Sequence, residues 1–427
     1  MEIKPVKGTR DFYPPQMAIR NFIIDGWKAA SVRNGFVEFD GPIFEYLKMF
    51  QIKSGDEIAE QLFSFEDRGG RALAIRPEIT PTLARMVNQQ INSLPRPIKW
   101  FSVPRLCRAE RPQKGRLREF FQWNIDIIGV DDVLADAEII FCSLDYLRQA
   151  GLTGKDIVAR ISSRKMLAAL LRAIGIAEEE LDGLYALLDK RSRLGADTFS
   201  EMAAEKITDA DKREKVLELM AVESVEQIEK VVELTGQARQ AVDELKKLFE
   251  IFDTMGIGDW CMFDIGIVRG LAYYTGVVFE IYSRGAKLRA IGGGGRYDNL
   301  LADFGGPVTP ATGFAMGDCV LEIVLREKGL LDKVAATLNL DYFVAYTDPQ
   351  LKAKAVEITA KLRQANRAAD FSYKGGNLGK QLKQASSACA KNCIIVGDEY
   401  KQGQIAIKDM DTGRQELVKL DNFLSRL

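Results

Sequence analysis

The stretch Arg108–Gln122 constrains the fold of this 427-residue chain more than any other part of it. It contains four arginines and one lysine, and the apolar segments Trp100–Val103 and Ile125–Gly129 flank it. These two segments predict strands, and the basic stretch between them predicts the long loop of a hairpin. Because the arginine fork binds phosphate oxygens bidentately, such a loop suits a strongly anionic ligand such as a triphosphate. The alternative is a solvated basic loop, which needs neither the glycine nor the aromatic pair of this stretch.

The chain contains no histidine, and this absence limits the chemistry that it can perform. It excludes Ser-His-Asp and Cys-His catalysis, histidine general bases and histidine metal ligands. Arginine, carboxylates, tyrosine and the backbone remain, which favours stabilisation of charge over proton relay.

Charge and cysteine content indicate a reduced, cytoplasmic protein. The net charge is −1, so a contact with nucleic acid must use local patches rather than a field of the whole molecule. The spacing of the six cysteines fits neither a disulfide framework nor a zinc site. We find no apolar run of about 18 residues and therefore expect no transmembrane helix.

Local patterns divide the chain into three parts. Residues up to about 160 mix helix and strand patterns, whereas residues 165–255 carry Ala, Leu, Glu and Lys at helical spacing and predict a helical insertion. From about residue 340, strands alternate with helices, which predicts a small mixed sheet with crossover helices. Residues 341–427 contain 14 Lys and Arg against 10 Asp and Glu, so this part mildly favours an RNA contact.

Four consecutive glycines, Gly292–Gly295, follow a predicted strand at 277–282. Since glycine has no Cβ, we expect the backbone of this run to approach a ligand closely. A flexible loop without a ligand is the alternative.

Motifs spread in order over nearly the whole chain resemble those of the histidyl-tRNA synthetase family, which belongs to the class II aminoacyl-tRNA synthetases. They are an opening signature at Lys7–Pro14, the dimer-interface motif at Gly35–Glu45, the amino-acid-binding loop at Arg76–Thr80, the second class II motif at Arg108–Gln122, two histidine-specific signatures at Arg269–Tyr274 and Gly293–Asp298, and an anticodon-binding domain after residue 340.

The resemblance implies an α+β fold and a two-step reaction. A catalytic domain over residues 1–330 would hold an antiparallel sheet flanked by helices, with the helical insertion at about 165–255. A C-terminal α/β anticodon-binding domain would cover residues 338–427. The implied protein is a homodimer that uses ATP to charge tRNA(His). Histidine would attack the α-phosphate to give histidyl-adenylate and pyrophosphate, and the histidyl group would then pass to the 3′-terminal adenosine.

The resemblance also assigns roles in ATP binding and catalysis. Arg108 and Arg269 would hold the α-phosphate from two sides, where negative charge builds during phosphoryl transfer. Arg116 would reach the outer phosphates, and Glu110 and Phe120 would contact the adenine. Mg²⁺ would be carried with the ATP, and no metal site made by the protein itself is implied.

A second group of residues is implied to bind histidine, namely Glu78, Thr80, Gln122, Asp126, Arg269, Tyr273, Tyr274 and Tyr297. Glu78 and Thr80 would bind the α-amino group, and Gln122 would lie beside the amino-acid portion. Asp126 and Tyr274 would accept hydrogen bonds from the imidazole, because a ring with N–H donors needs acceptors. Each assignment has an alternative. Asp126 could simply end a strand, and one of the two adjacent tyrosines could belong to the core. Arg269 could be part of a structural ion pair.

Two positions depart from the family pattern. Ala272 stands where an acidic residue is usual, and Val320 stands where the third class II motif usually has an arginine. Both favour an alternative function, a synthetase-like regulatory protein that binds histidine without charging tRNA. Arg108, Arg116, Arg269 and the C-terminal domain oppose it. A synthetase for another amino acid is a third possibility, which the two histidine-specific signatures oppose.

Overall fold

The computed structural model describes residues 3–52, 62–188, 196–267, 274–285, 288–334 and 340–427. Most of the chain up to residue 330 forms one compact unit. Residues 12–19, together with those from 331 onward, form the second.

The first unit contains twelve strands in its described residues. They are β1 Val37–Glu38, β2 Phe44–Tyr46, β3 Ser64–Glu66, β4 Ala72–Ile75, β5 Ile98–Ser102, β6 Arg105–Cys107, β7 Glu119–Ile128, β8 Ile157–Ser163, β9 Cys261–Phe263, β10 Val277–Ser283, β11 Gly292–Arg296 and β12 Ala311–Gly317.

Helices lie between groups of these strands. In chain order the α-helices up to residue 330 whose bounds fall within the described residues are α1 Pro14–Arg33, α2 Thr80–Gln89, α3 Val133–Gln149, α4 Arg164–Ile174, α5 Glu178–Leu188, α6 Ala196–Lys206, α7 Ala210–Met220, α8 Ile228–Val231, α9 Gly236–Thr254, α10 Leu300–Asp303 and α11 Asp318–Glu327. The series α4–α9 is the helical insertion expected from the sequence, and α9 packs against α3 and α4.

The central sheet has the order β1-β5-β7-β12-β11-β10-β8-β9, with β6 paired to β7 beside this path. Its interior pairs are antiparallel, as the α+β prediction requires, whereas the pairs β1–β5 and β8–β9 at the two ends are parallel. A separate small sheet has the order β2-β4-β3.

Strand β7 shows why this sheet forms. Trp123, Ile125 and Ile127 alternate with polar residues, and all three side chains are buried. Trp123 stacks on Trp27 of α1, with ring centroids 6.2 Å apart, and its indole Nε1 donates to Ser31 Oγ at 2.8 Å. The apolar side of β7 therefore packs the sheet against a helix, and the polar side chains of β7 project from the opposite face.

The predicted hairpin is present, since β5 pairs antiparallel with β7. The predicted loop Arg108–Gln122 was too long. Residues 119–122 already belong to β7, and Glu119 to Phe121 pair with β6. A short turn closes the loop, where Gln113 and Arg116 exchange backbone hydrogen bonds of 2.9 Å.

The alternative of a flexible loop at Gly292–Gly295 was wrong, because these residues form β11 and pair on both sides. The glycines are needed for packing within the sheet. A Cβ on Gly294 would overlap the carbonyl of Gly313 on β12, and one on Gly292 would lie 2.8 Å from the Phe314 ring. Glycine here allows close approach of neighbouring strands. The expected approach of this backbone to a ligand stays a prediction.

The second unit carries a mixed sheet of the order β14-β13-β15-β16-β17. Its strands are β13 Tyr342–Tyr346, β14 Ala369–Phe371, β15 Asn392–Val396, β16 Gln404–Asp409 and β17 Gln415–Lys419, and its helices after residue 331 are α12 Lys352–Gln364, α13 Leu378–Ser387 and α14 Leu420–Leu424. Strand β13 runs parallel to both of its neighbours, as the crossover helices predict. The sequence analysis did not identify β17, and it placed β14 two residues too late.

Candidate active site

A row of residues crosses the central sheet on one face. Val278, Gly295, Gly313, Asp126 and Trp100 are paired in register across β10, β11, β12, β7 and β5. Directly opposed residues project from the same face of a sheet, so the two glycines leave room for neighbouring side chains to lie over them. A Cβ on Gly313 would overlap Asp126 Oδ1, which shows that the carboxylate lies over this glycine. We call the surface formed by Gly295 and Gly313 the glycine floor.

Two predicted histidine-binding tyrosines border the glycine floor. The hydroxyl of Tyr297 donates to Asp126 Oδ1, and both residues are almost fully buried. Tyr274 lies over Gly295, because a Cβ there would be 3.1 Å from Tyr274 Cδ1. Both tyrosines belong to one buried cluster with Ile79. The structure thus brings together Asp126, Tyr274 and Tyr297, which are separated by up to 171 positions in the sequence.

Other polar residues project from the same face, and the sequence analysis identified only one of them. Gln122, which it identified, and Asn124 precede Asp126 at intervals of two on β7, and Asn124 is 3% exposed. Glu280 lies on the same face of β10, two residues beyond Val278. The alternation of polar and apolar residues in β7 was the signal that could have identified Asn124.

The segment Arg76–Thr80 is held in place by its own arginine. Arg76 is 3% exposed and donates to Asp40 Oδ1 at 2.6 Å and to the Gly41 carbonyl at 2.8 Å. Its role is structural. Glu78 is buried, and Thr80 begins α2. Ile79 between them packs in the cluster of the two tyrosines, so this segment borders the residues around the glycine floor.

Arg108 connects this segment with the basic loop. Its Nε donates to the Pro77 carbonyl at 3.1 Å, and its guanidinium lies 5.4 Å from the centroid of the Phe120 ring. Phe120 projects from the same face of β7 as Gln122, two residues away. A guanidinium carries five N–H donors, and a single one is used on Pro77, so Arg108 retains capacity for phosphate oxygens.

The other two ATP-binding candidates are paired with each other. Arg116 forms an ion pair with the mostly buried Glu110. The turn between them contains Gly115 at φ +76°, and a Cβ there would lie 3.0 Å from Val320 Cγ2. Val320, the residue in place of the third-motif arginine, therefore faces the basic loop, as an ATP contact at that position would.

Arg10 reaches the same helix from the N-terminal signature. Its Nη2 bonds Asp318 Oδ2 at 2.5 Å, and its Nη1 lies 3.5 Å from Glu322 Oε2. Asp318 also accepts from the backbone N–H of Phe121 at 3.1 Å. Burial raises the pKa of Asp318, and the neighbouring Arg10 opposes that increase. This carboxylate links residues 10, 121 and 318, and it fixes the start of α11 against β7.

A buried ion pair supports the opposite face of the sheet. Arg296 precedes Tyr297 and binds Asp136 Oδ2 through Nε at 3.0 Å and Nη2 at 2.6 Å. Its Nη1 and Nη2 also donate to the carbonyls of Val130 and Asp132 at 3.0 and 2.9 Å. Burial raises the pKa of Asp136 to about 6, although Arg296 acts against this. Sequence analysis assigned no role to either residue of this pair.

Arg269, Ala272 and Tyr273 lie outside the described residues, so their assignments stay predictions. Within the described ranges, no three or more Asp, Glu or Cys side chains are grouped so as to hold a metal ion. In the same ranges, no helix is both long enough and apolar enough to cross a bilayer.

The fold and this site together define a class II aminoacyl-tRNA synthetase. A profile of the histidyl-tRNA synthetase family matches residues 8–318, and one of the anticodon-binding domain matches residues 341–427. The chain belongs to the histidyl-tRNA synthetase family. It is accordingly an enzyme that charges tRNA(His) with histidine in an ATP-dependent reaction.

Individual relatives agree with this assignment. The chain is 38% identical over 424 residues to the chloroplastic/mitochondrial histidine–tRNA ligase of Arabidopsis thaliana, covering 99% of this chain and 86% of the relative. It is 39% identical to the ligase of Opitutus terrae, covering 95% and 93%, and 36% identical to that of Pyrococcus horikoshii, covering 100% and 98%.

Solved structures show the same fold. Histidyl-tRNA synthetase from Nostoc sp. PCC 7120 superposes with a TM-score of 0.83 at 22% identity, covering 100% of this chain and 99% of that chain. The three relatives described above are all named as ligases, and the anticodon-binding match extends to the last residue. Nothing in these comparisons favours the regulatory alternative.

Proposed function

We propose that the space above the glycine floor binds the histidine substrate. The single observation that carries this proposal is the Tyr297–Asp126 hydrogen bond beside two glycines. A carboxylate offers about four acceptor positions, so Asp126 can accept an imidazole N–H in addition to the tyrosine hydroxyl. Tyr274 accepts from the ring as well. An apolar side chain of similar size leaves these buried acceptors without donors, and this selects histidine.

The remaining polar residues orient the reacting end of histidine. Glu78 and Thr80 bind the α-ammonium group, for which a carboxylate is a natural partner. Gln122, four residues before Asp126 on the same face of β7, lies beside the amino-acid backbone. Tyr273 is proposed to line the pocket on the basis of the resemblance alone.

ATP binds along the basic loop in this proposal. Arg108 and Arg269 stabilise the charge that develops on the α-phosphate as the histidine carboxylate oxygen forms its bond to phosphorus and pyrophosphate leaves. The adenine contacts Phe120 and Glu110. Arg116 leaves its ion pair with Glu110 and binds the outer phosphates. Mg²⁺ accompanies the nucleotide and neutralises phosphate charge. In the second step a hydroxyl of the 3′-terminal adenosine attacks the activated carbonyl, and AMP leaves.

The proposal for activation is tested by histidine-dependent exchange between ATP and pyrophosphate. We expect Asp126→Asn to raise the KM for histidine strongly and Arg108→Ala to reduce kcat. Arg172→Ala is the matched control, because Arg172 lies in the insertion and forms an exposed ion pair with Glu178. Unchanged histidine KM in Asp126→Asn would disprove the assignment of Asp126.

We also propose that the protein is a homodimer with two domains, 1–330 and 338–427. Support for the dimer comes from the small sheet, where Phe44, Tyr46 and Phe65 are 53%, 57% and 44% exposed. Aromatic side chains gathered on one exposed surface are typical of a protein interface. Sedimentation of the Phe44→Glu variant is expected to show monomers. A variant that dimerises with the same affinity as the unaltered chain would contradict this interface.

A cytoplasmic location is proposed as well. All six cysteines are free, which fits a reducing compartment. Fractionation of cells that express the tagged chain measures the location directly.

A further inference from the structure

Tyr274 and Tyr297, which border the glycine floor, both lie outside the paired strands. β10 begins at Val277, three residues after Tyr274, and β11 ends at Arg296, immediately before Tyr297. The N–H of Tyr297 donates to the Ala311 carbonyl at 2.7 Å, so this tyrosine is tied to β12. Because the β10–β11 ladder ends before it reaches either ring, contacts outside the ladder set the position of Tyr274 relative to Tyr297.

The residues that follow the two tyrosines bind each other. Thr275 follows Tyr274, and Asp298 follows Tyr297. Thr275 Oγ1 donates to Asp298 Oδ2 at 2.7 Å and accepts from the Asp298 backbone N–H at 3.2 Å. The backbone N–H of Thr275 donates to the Arg296 carbonyl at 2.8 Å. These hydrogen bonds join the main chain beside one tyrosine to the main chain beside the other.

The Thr275–Asp298 pair borders a cavity on the far side of the sheet. Arg296 is next to Gly295 in β11, so its side chain projects from the face opposite to the glycine floor. Thr275, Arg296 and Asp298 line one cavity of about 230 Å³, together with residues of α3 and α9. Because open space borders the pair there, hydrogen bonds contribute more than packing to holding it. Arg296 Nη1, 3.5 Å from Asp298 Oδ1, also holds the carboxylate in place.

We propose that the Thr275–Asp298 pair positions the Tyr274 ring against Tyr297 and thereby fixes the shape of the histidine pocket. This inference rests on the proposed binding of histidine above the glycine floor and deepens it. Thr275 and Asp298 are positioning residues, because they act on the substrate only through the neighbouring tyrosines. With the pair intact, Tyr274 is in place before histidine arrives. Without the pair the ring occupies several positions, and the affinity falls with the fraction of molecules in the competent one.

The test measures histidine-dependent exchange between ATP and pyrophosphate with the full-length chain. Thr275→Val keeps the shape of the side chain and removes the hydroxyl that makes two of the hydrogen bonds. We expect the KM for histidine to rise about tenfold, equivalent to about 1.4 kcal/mol, and the KM for ATP to stay unchanged. Thr275→Ser keeps the hydroxyl and should retain the KM of the unaltered chain. If the valine variant is not recovered as folded protein, Thr275→Ala takes its place with the same expected result.

Thr153→Val is the matched control. Thr153 Oγ1 donates to Asp156 Oδ2 at 2.7 Å, so this variant also removes a threonine–aspartate hydrogen bond from the first unit. Thr153 precedes β8, whose first residue, Ile157, opposes Ser283 at the far end of β10. Both KM values should be unchanged in the control.

The two KM values separate positioning from a general loss of structure. Partial unfolding reduces the concentration of active enzyme, which lowers the apparent kcat and leaves both KM values unchanged. A fall in kcat alone in Thr275→Val would therefore overturn the proposal, as would an equal rise in both KM values. In a chain that already carries Tyr274→Ala, Thr275→Val should raise the KM for histidine no further. Simple addition of the two effects would rule out action through Tyr274.

Asp126→Asn, measured in parallel, separates failure of this inference from failure of the proposed histidine site. If Asp126→Asn raises the KM for histidine and Thr275→Val does not, the histidine site stands and the positioning role is overturned. If neither variant changes this KM, the proposed site is wrong and the positioning role falls with it.

Discussion

Replacement of Arg296 by methionine should make the stability of the catalytic unit depend on pH. The substitution removes four hydrogen bonds from a side chain that is 7% exposed. It leaves Asp136 buried without its cationic partner, and breaking a buried ion pair in this way costs about 3–5 kcal/mol. Asp131 and Asp132 also lie near Arg296, but they are exposed to solvent. Asp298 is partly exposed, and it loses an ion pair of 3.5 Å between its Oδ1 and Arg296 Nη1.

The sign of the pH effect follows from the pKa of Asp136. Burial already raises it to about 6, and loss of Arg296 removes an interaction that lowers it. The folded state therefore holds this proton more tightly than the unfolded state does. Stability of Arg296→Met should rise as the pH falls from 8 to 6, by up to about 1.4 kcal/mol per pH unit.

Urea unfolding followed by tryptophan fluorescence measures this effect selectively, because all four tryptophans precede residue 331. The double variant Arg296→Met with Asp136→Asn removes the buried carboxylate and should lose the pH dependence while regaining part of the stability. An equal loss of stability at pH 6 and pH 8 would refute the reasoning, as would a double variant no more stable than the single one.

Three other predictions concern the site. Gly313→Ala adds a methyl group that overlaps Asp126 Oδ1, so histidine activation should be abolished in exchange assays while ATP binding persists. Tyr297→Phe removes a hydrogen bond to a buried carboxylate, and kcat/KM for histidine should fall at least tenfold, consistent with about 1.5–3 kcal/mol; an unaltered value would exclude a role for the hydroxyl. Arg10→Ala leaves Asp318 buried without its partner and should lower the urea midpoint, whereas Arg10→Lys should restore part of it.

Much of the fold could be predicted from local patterns. The hairpin around the basic loop, the helical insertion and the alternating C-terminal elements all follow from periodicity, which depends only on near neighbours. The strand at Gly292–Gly295 could not be predicted, because a run of glycines is compatible with a loop and with a central strand. Pairing with β10 and β12 decides between these cases, and those partners are distant in sequence.

The site was predictable where a motif carried it and not elsewhere. The family resemblance singled out Asp126, Tyr274 and Tyr297, and the structure places these three residues close together. The Arg10–Asp318 contact spans 308 positions and leaves no local pattern. The Arg296–Asp136 pair could not be predicted either, because the residues around Arg296 do not indicate a partner 160 positions earlier.

The glycine floor has a consequence for how the enzyme can evolve. Where a pocket is walled by side chains, truncation enlarges it and admits new substrates. Here the base consists of main chain, and neither Gly295 nor Gly313 has a side chain that a mutation could shorten. With histidine bound above the glycine floor, as proposed, mutation at these two positions would only reduce the space for the substrate. The amino-acid preference would then shift through surrounding residues such as Asp126 and Tyr297.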